Sequence, residues 1–326
     1  MITRRESLAA LAALAAAPAR AQERYPSRPL RFVVPYAPGG ATDIVARVLG
    51  EELRRTLGQP TVVENRPGGA GIIALEQTAR ARPDGYTLMV GNVTTNAITP
   101  VLFRDRMPFD YEREMVPVAR LADLPAMAMV TTTNFAPRTM EEFIAHVRAN
   151  PGKVNYASAG IGSYPQFDAV MLSRRAGLDM VHVPMAGGAG PVITQMLNGT
   201  VQFCILNVAT FGPLVREGKI RALAAISDTR LAEFPDVPTM AEAGFPGIGT
   251  IAWQAMFAPA ATPREALLAL HAASNEALRA EAVLEAFRRQ GVRAVPIASL
   301  DEAKTWLAAE LERWRRIVAE AAIEVG

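Results

Sequence analysis

The feature that most constrains this chain is an alternation of short β-rich segments with helical patterns, run through twice. Residues 30–35 read as extended, 41–57 as helical, 61–64 as extended, a stretch from about Ile72 as helical and 86–90 as extended. Within 41–57 the apolar Ile44, Val45, Val48, Leu49 and Leu53 recur at helical spacing, with Arg47, Glu51, Arg54 and Arg55 outside that stripe, so one face packs on a sheet. The same grammar restarts after about Leu121, with 127–131, 154–157, 180–183, 201–205 and 222–226 extended and 141–149, 165–175 and 191–197 helical.

Alternation of this kind gives parallel βαβ units. Two sets of it predict two α/β domains, each a mostly parallel sheet flanked by helices. A chain of 326 residues is long enough for two domains of about 100–150 residues. No Ser/Gly linker divides them, so the chain is expected to cross between domains more than once, near 121–125 and near 227–234. That assigns 22–122 plus 230–326 to domain 1 and 123–229 to domain 2. Helix starts are marked where Ser or Thr is followed three residues later by Glu: Thr139/Glu142, Thr239/Glu242, Thr262/Glu265 and Ser299/Glu302. In such boxes the two side chains satisfy orphan amides reciprocally. Helical segments over about 263–290 and 300–322 form a C-terminal cap.

The first 21 residues depart from the rest. Arg4-Arg5 precede an unbroken small-apolar run from Leu8 to Ala17 and the pattern Ala19-Arg20-Ala21, which reads as a signal peptide cleaved after Ala21, with a periplasmic mature protein. The apolar run is shorter than the ~20 residues that a spanning helix needs. The paired arginines resemble a twin-arginine signal, although Ser7 stands where that signal carries a bulky apolar residue, and ordinary secretion stays open. Residues 1–21 hold three arginines and one glutamate, so the formal excess of +2 belongs to the leader. A neutral remainder without a basic run has no electrostatic footprint for nucleic acid or an anionic membrane.

Catalytic and metal motifs are missing from the sequence. Cys204 is the only cysteine, which excludes an intramolecular disulfide and a thiolate cluster, and its apolar surroundings read as a buried strand. His146, His182 and His271 are scattered with no His-x-x-x-His pair, and neither a Gly-x-Ser-x-Gly elbow nor a phosphate-binding P-loop is present. His146, one turn after Glu142, reads as half of a surface pair, and His182 within Val181-His182-Val183 as a core or strand-end histidine. Gly69-Ala70-Gly71 partly matches a dinucleotide loop, but Ala74 stands where the third glycine belongs. No cofactor, metal or catalytic residue is expected.

Two loops stand out: Pro35-Tyr36-Ala37-Pro38-Gly39-Gly40-Ala41-Thr42-Asp43 and Ser158-Ala159-Gly160-Ile161-Gly162-Ser163. Each joins a strand end to a helix start. Ligands of parallel α/β sheets sit outside the carboxyl ends of strands, and a helix N-terminus offers unpaired N–H groups with a partial positive charge. One such anion pocket per domain suggests a clamp. Two alternatives stay open at this level: the glycines serve tight turns alone, and Ser163 and Gln166 form a capping box that only starts a helix.

These residues also carry a resemblance. With Tyr25-Pro26-Ser27-Arg28-Pro29, Glu64-Asn65-Arg66-Pro67-Gly68, Pro83-Asp84-Gly85-Tyr86-Thr87-Leu88, His182-Val183-Pro184, Pro235-Asp236-Val237-Pro238-Thr239 and Phe257-Ala258-Pro259-Ala260, the two loops make the chain similar to the substrate-binding proteins of tripartite tricarboxylate transporters, the Bug family of extracytoplasmic receptors. The resemblance runs from Tyr25 to about Gly326. It implies a two-domain periplasmic-binding-protein type II fold that closes on a hinge around a small organic carboxylate and delivers it to membrane permease subunits. The candidate ligand-binding set is Tyr36, Ala37, Gly39, Gly40, Thr42, Asp43, Thr94, Thr95, Ala159, Gly160, Gly162, Ser163, Gln166, Met185 and Asn207. Asp43 also fits a plain helix-start residue favoured by the macrodipole. A ligand-sensing domain that signals to a regulator is the alternative function, against which the leader and the lack of an N-terminal helix-turn-helix weigh.

The chain departs from the family where Met185-Ala186 stands for Tyr-Lys, where Leu206-Asn207 stands for Asp-Asn, and where Gln166 occupies a position often held by histidine. Met185, Ala186 and Leu206 cannot donate hydrogen bonds to a second buried carboxylate, and desolvating one without donors is costly. If they line the cleft, they favour a monocarboxylate with an aromatic or aliphatic tail over citrate-like acids; otherwise they pack inside the second domain.

Overall fold

The structure, a computed structural model, describes residues 25–185 and 189–323. The leader expected at 1–21 lies outside them, as do Ala186 and Gly187. Two sheets form. The first contains β1 (Leu30–Val34), β2 (Thr61–Asn65), β3 (Thr87–Asn92), β4 (Met115–Leu124), β10 (Ala252–Pro259) and β11 (Arg293–Ala294), in the order β11-β4-β10-β3-β1-β2. The second contains β5 (Ala126–Thr131), β6 (Val154–Ser158), β7 (Met180–Pro184), β8 (Phe203–Asn207) and β9 (Ile220–Ile226), in the order β7-β6-β8-β5-β9.

The parallel part is the part that the alternation predicts: β1 pairs parallel with β2 and β3, and β6 with β7 and β8. The antiparallel pairings all involve β5, β10 or β11. β5 and β10 are the strands by which the chain enters one sheet directly from the other. Such a strand arrives without the crossover helix that a parallel neighbour requires, so it runs against the strands beside it.

Only Pro125 separates β4 from β5. The return is longer. Leu231, Phe234, Met240, Phe245, Ile248 and Ile251 all pack against the second sheet's cores before β10 begins. The chain therefore leaves the second sheet at Thr250–Ala252, later than the expected 227–234.

Helix α1 (Ala41–Leu57) buries Val45, Ala46, Leu49 and Leu53 and ends on Gly58 in the left-handed conformation. Helix α2 (Ile72–Ala79) covers the same sheet, and α6 (Tyr164–Ala176) follows β6 in the second. The C-terminal cap divides into α9 (Arg264–Ala277), α10 (Glu281–Arg289) and α11 (Leu300–Ala321). Helix α11 ties the lobes together: Trp314 meets Phe167 of α6 edge to face at 5.5 Å, and Arg174 donates to the Ala321 carbonyl at 2.7 Å.

Three of the four expected capping pairs form. Glu142, Glu242 and Glu302 donate their amides to Thr139, Thr239 and Ser299, each at 3.1 Å. Thr262/Glu265 does not: Pro263 takes the cap position of α9, and the Thr262 hydroxyl is buried without a partner. Proline fixes the turn by its own φ, so the threonine is displaced one residue too early to reach the helix amides.

Candidate functional site

One cleft of about 660 Å³ collects strand ends from both sheets. It is lined by Pro35, Tyr36 and Ala37 after β1, by Pro67 to Ile72 after β2, by Thr94 after β3, and by Phe103 and Arg106 beyond it. From the second sheet come Ala159, Gly160, Ile161 and Ser163 after β6, and Pro184 at the end of β7. These are the carboxyl ends of parallel strands, where α/β sheets open crevices to ligands. Three of the loops run into α1, α2 and α6, whose N-termini carry the positive end of the helix dipole.

The first loop is pinned from its neighbours. Asn65, at the end of β2, donates from Nδ2 to the Tyr36 carbonyl and to Asp43 Oδ1, both at 2.9 Å. Asp43 Oδ2 accepts from the Gly39 amide and from Arg47 Nε, also at 2.9 Å. Burial alone would raise the Asp43 pKa, but Arg47, the Gly39 amide and Asn65 together hold it below the ordinary aspartate value. Tyr36 donates its hydroxyl to Asn92 Oδ1 at 2.8 Å, and burial pushes its pKa up, so it stays a neutral donor. The side chains thus hold the turn, and the backbone amides are what the turn presents.

The second loop has a comparable frame. Ser163 Oγ does not cap α6 but donates to the Gly160 carbonyl at 2.6 Å, while Gln166 Oε1 accepts from the Gly162 amide at 2.7 Å. The capping-box alternative is therefore not realised, because Gln166 reaches the Gly162 amide rather than that of Ser163. That bond fixes the amide of Gln166, whose Nε2 then faces His182 Nδ1 at 3.3 Å. An amide nitrogen can only donate, so Nδ1 accepts and the ring proton sits on Nε2, 2.8 Å from Ser158 Oγ. Burial lowers the His182 pKa, which favours this neutral ring. Gly162 has φ +78°, and a Cβ there would come within 2.8 Å of Leu102 Cδ2 and 2.9 Å of Phe103. The second sheet's loop therefore lies directly against the first lobe.

Of the residues singled out in the sequence, Tyr36, Ala37, Thr94, Ala159, Gly160 and Ser163 line the cleft. Gly39, Gly40, Thr42 and Asp43 continue the first turn into α1, and Thr95, Gly162 and Gln166 are buried behind the lining. Asn207 accepts from the amide and hydroxyl of Thr210 at 2.9 and 2.8 Å and starts α8 (Val208–Arg216). Met185 packs against the second sheet's core, and Leu206 is buried within it. The alternative in which the side chain stays inside the second domain holds for Leu206, whereas Met185 is only partly buried. Cys204 is likewise buried, with Sγ 3.0 Å from Met196 Sδ and its pKa raised by burial.

Sequence reasoning passed over the third loop, residues 67–72, and over Asn65, Asn92, Phe103 and Arg106. In sequence, Gly69-Ala70-Gly71 reads only as a partial dinucleotide loop. Its position between a strand and a helix, the same as that of the other two loops, was the usable signal. Gly71 has φ +90° and its missing Cβ would lie 2.5 Å from Thr95 Cγ2, so the close approach of this loop to the turn that follows β3 requires glycine.

Two α/β lobes with strand-end glycine loops from both around one cleft define a solute-binding protein of the periplasmic type II architecture. Residues 45–323 match the tripartite tricarboxylate transporter family receptor, and the chain belongs to that family, which consists of extracytoplasmic solute receptors rather than enzymes. It is 36% identical to protein BugT of Bordetella pertussis over 305 residues, 94% of this chain and 92% of BugT. MatC of Rhodopseudomonas palustris, solved with bound malate, superposes with a TM-score of 0.82 at 33% identity, covering 90% of this chain and 100% of MatC. A second R. palustris protein, solved with adipate, gives 0.85 at 29% identity over 92% of this chain and 99% of its own. Among the described residues no helix is long and apolar enough to cross a membrane, and no group of three or more His, Cys, Asp or Glu could hold a metal ion.

Proposed function

We propose that this protein captures a small organic carboxylate in the periplasm, closes its two lobes around it and presents it to the permease of a tripartite tricarboxylate-type transporter, without altering it chemically. One observation carries this reading: glycine loops at the carboxyl ends of parallel strands from both sheets line the same cleft. Backbone amides of the loops that lead into α1, α2 and α6 are the right donors for a carboxylate, because they are fixed in place beside the positive ends of helix dipoles. The malate and adipate held by two relatives of similar fold support the ligand class. Export with cleavage near Ala21 is supported by the leader pattern and by the family's extracytoplasmic role.

A thermal-shift panel of mono-, di- and tricarboxylates, set against sugars and amines of equal size, tests the reading. A solute at a hundred times its dissociation constant stabilises by about 2.7 kcal/mol. Stabilisation confined to carboxylates is expected, and a panel in which no carboxylate raises the melting temperature contradicts it.

A further inference from the structure

His182 stands outside the cleft lining, yet both of its ring nitrogens are spent on the frame of the second loop. It lies on β7 in register with Tyr156 of β6, and the two rings stack at 4.8 Å. Nε2–H donates to Ser158 Oγ at 2.8 Å, and Nδ1 accepts from Gln166 Nε2 at 3.3 Å. Each partner continues into the loop. Ser158 Oγ donates to the Gly160 carbonyl at 3.0 Å and accepts from the Gly160 amide at 3.3 Å, while Gln166 Oε1 holds the Gly162 amide. Ser158 and Gln166 are buried, so a bond lost here is not made good by bulk water.

These bonds decide which amides the loop has left to offer. Those of Gly160 and Gly162 are taken, and that of Ser163 goes to the Gly160 carbonyl at 3.2 Å. Among the described residues, the amides of Ala159 and Ile161, both in the cleft lining, have no protein acceptor. The Gly160 carbonyl and the Ile161 amide belong to one planar peptide group, so fixing the carbonyl aims the amide in the opposite direction.

Only one protonation state of His182 satisfies the whole set. A charged ring sets a proton on Nδ1 against the Gln166 amide nitrogen, and turning Gln166 over would set that nitrogen against the Gly162 amide. Either way two donors face each other and a bond of the loop is lost. Nothing nearby offers the imidazolium a counter-charge. Tyr156, with its pKa pushed up to about 12 by burial, stays neutral where histidine titrates. Helix α7 (Ala189–Leu197), packed on β6, carries no ionisable side chain. On α6, Asp168 is bonded to Thr250, Arg174 to the Ala321 carbonyl, and Arg175 lies at the far end of the helix. The lowered pKa of His182, caused by burial, agrees with this surrounding.

We propose that neutral His182 is the positioning residue of the second loop, aligning its free amides for the solute carboxylate through Ser158 and Gln166, so that charging the ring weakens solute binding. This rests on the carboxylate-binding reading above and deepens it. Affinity is then complete above the ring's pKa and falls as pH drops through it.

Long-range proton–nitrogen NMR of the ring in the full-length mature protein reads both the tautomer and the pKa. The Nε2–H form is expected at about pH 7.5. Saturating malate or adipate is expected to lower the ring pKa by at least about half a unit, since coupling between proton and solute is reciprocal. Calorimetric titration with the same two acids supplies a second readout. The ratio of wild-type to His182→Gln affinity, in which the acids' own protonation cancels, should fall at least about threefold from about pH 7.5 to about pH 5. His182→Phe, which keeps a ring on Tyr156 but neither bond, should bind about tenfold more weakly than wild type at the higher pH. An Nδ1–H tautomer, a ring pKa that neither acid moves, or a flat affinity ratio overturns the assignment. Binding of neither acid to wild type at either pH overturns the carboxylate reading itself. Melting curves check that the variants fold, and the wild-type ring spectra decide the question without them.

Discussion

Asp43 shows how far a single residue can be read before its neighbours are known. Its place at a helix start is visible in the sequence, and so is its membership of a glycine loop, but neither says where its oxygens go. That depends on Asn65 and Arg47, one from the next strand and one a turn along the helix. Asp168 was not legible at all. It sits on α6 fully buried and accepts both the amide and the hydroxyl of Thr250, at 3.0 and 2.7 Å, where the chain leaves the second sheet. Burial pushes its pKa up to about 7, against the Thr250 bonds and the attraction of Arg313. Around neutral pH the folded state then holds a proton that the unfolded chain, with an aspartate pKa of about 3.9, has released. Stability therefore falls as pH rises from about 4 to about 7 and levels off above. Scanning calorimetry should show the wild-type melting temperature declining relative to Asp168→Asn between about pH 4 and about pH 7 and then running parallel to it; curves parallel throughout would contradict the assignment.

At the scale of elements, period and capping chemistry carried most of the information. The buried stripe of α1 follows the apolar spacing, and the strand-to-helix loops lie where glycines interrupt the alternation. The antiparallel entry strands were hidden because direction is set by where the chain has come from, which local pattern does not encode. The four Ser/Thr-x-x-Glu pairs look alike in sequence and differ in structure because Pro263 takes over one start. Ser299→Ala, which removes a formed cap, should cost about 1 kcal/mol in denaturant unfolding. Thr262→Val, which removes a buried hydroxyl without a partner, should leave stability unchanged or raise it slightly. Equal losses in the two variants would show that Thr262 is engaged in solution.

For the whole molecule, two sheets and a cleft between them were legible because the βα alternation restarts, and a restart has no use within a single sheet. The return crossing was not, because residues 227–251 form irregular turns whose apolar side chains dock by shape on the second sheet rather than by period. The cleft's third wall was missed for a related reason. The glycines of the loop at 67–72 partly match a cofactor motif, which hides their likeness to the two other strand-to-helix loops of the same chain. The central claim is that loops from both lobes act on one carboxylate, and backbone amide NMR during a titration with a linear diacid reads those loops directly. The account predicts that the amides of Ala37, Gly69 and Gly160 all shift along one common isotherm. Shifts confined to a single lobe, or appearing only away from the cleft, would contradict it.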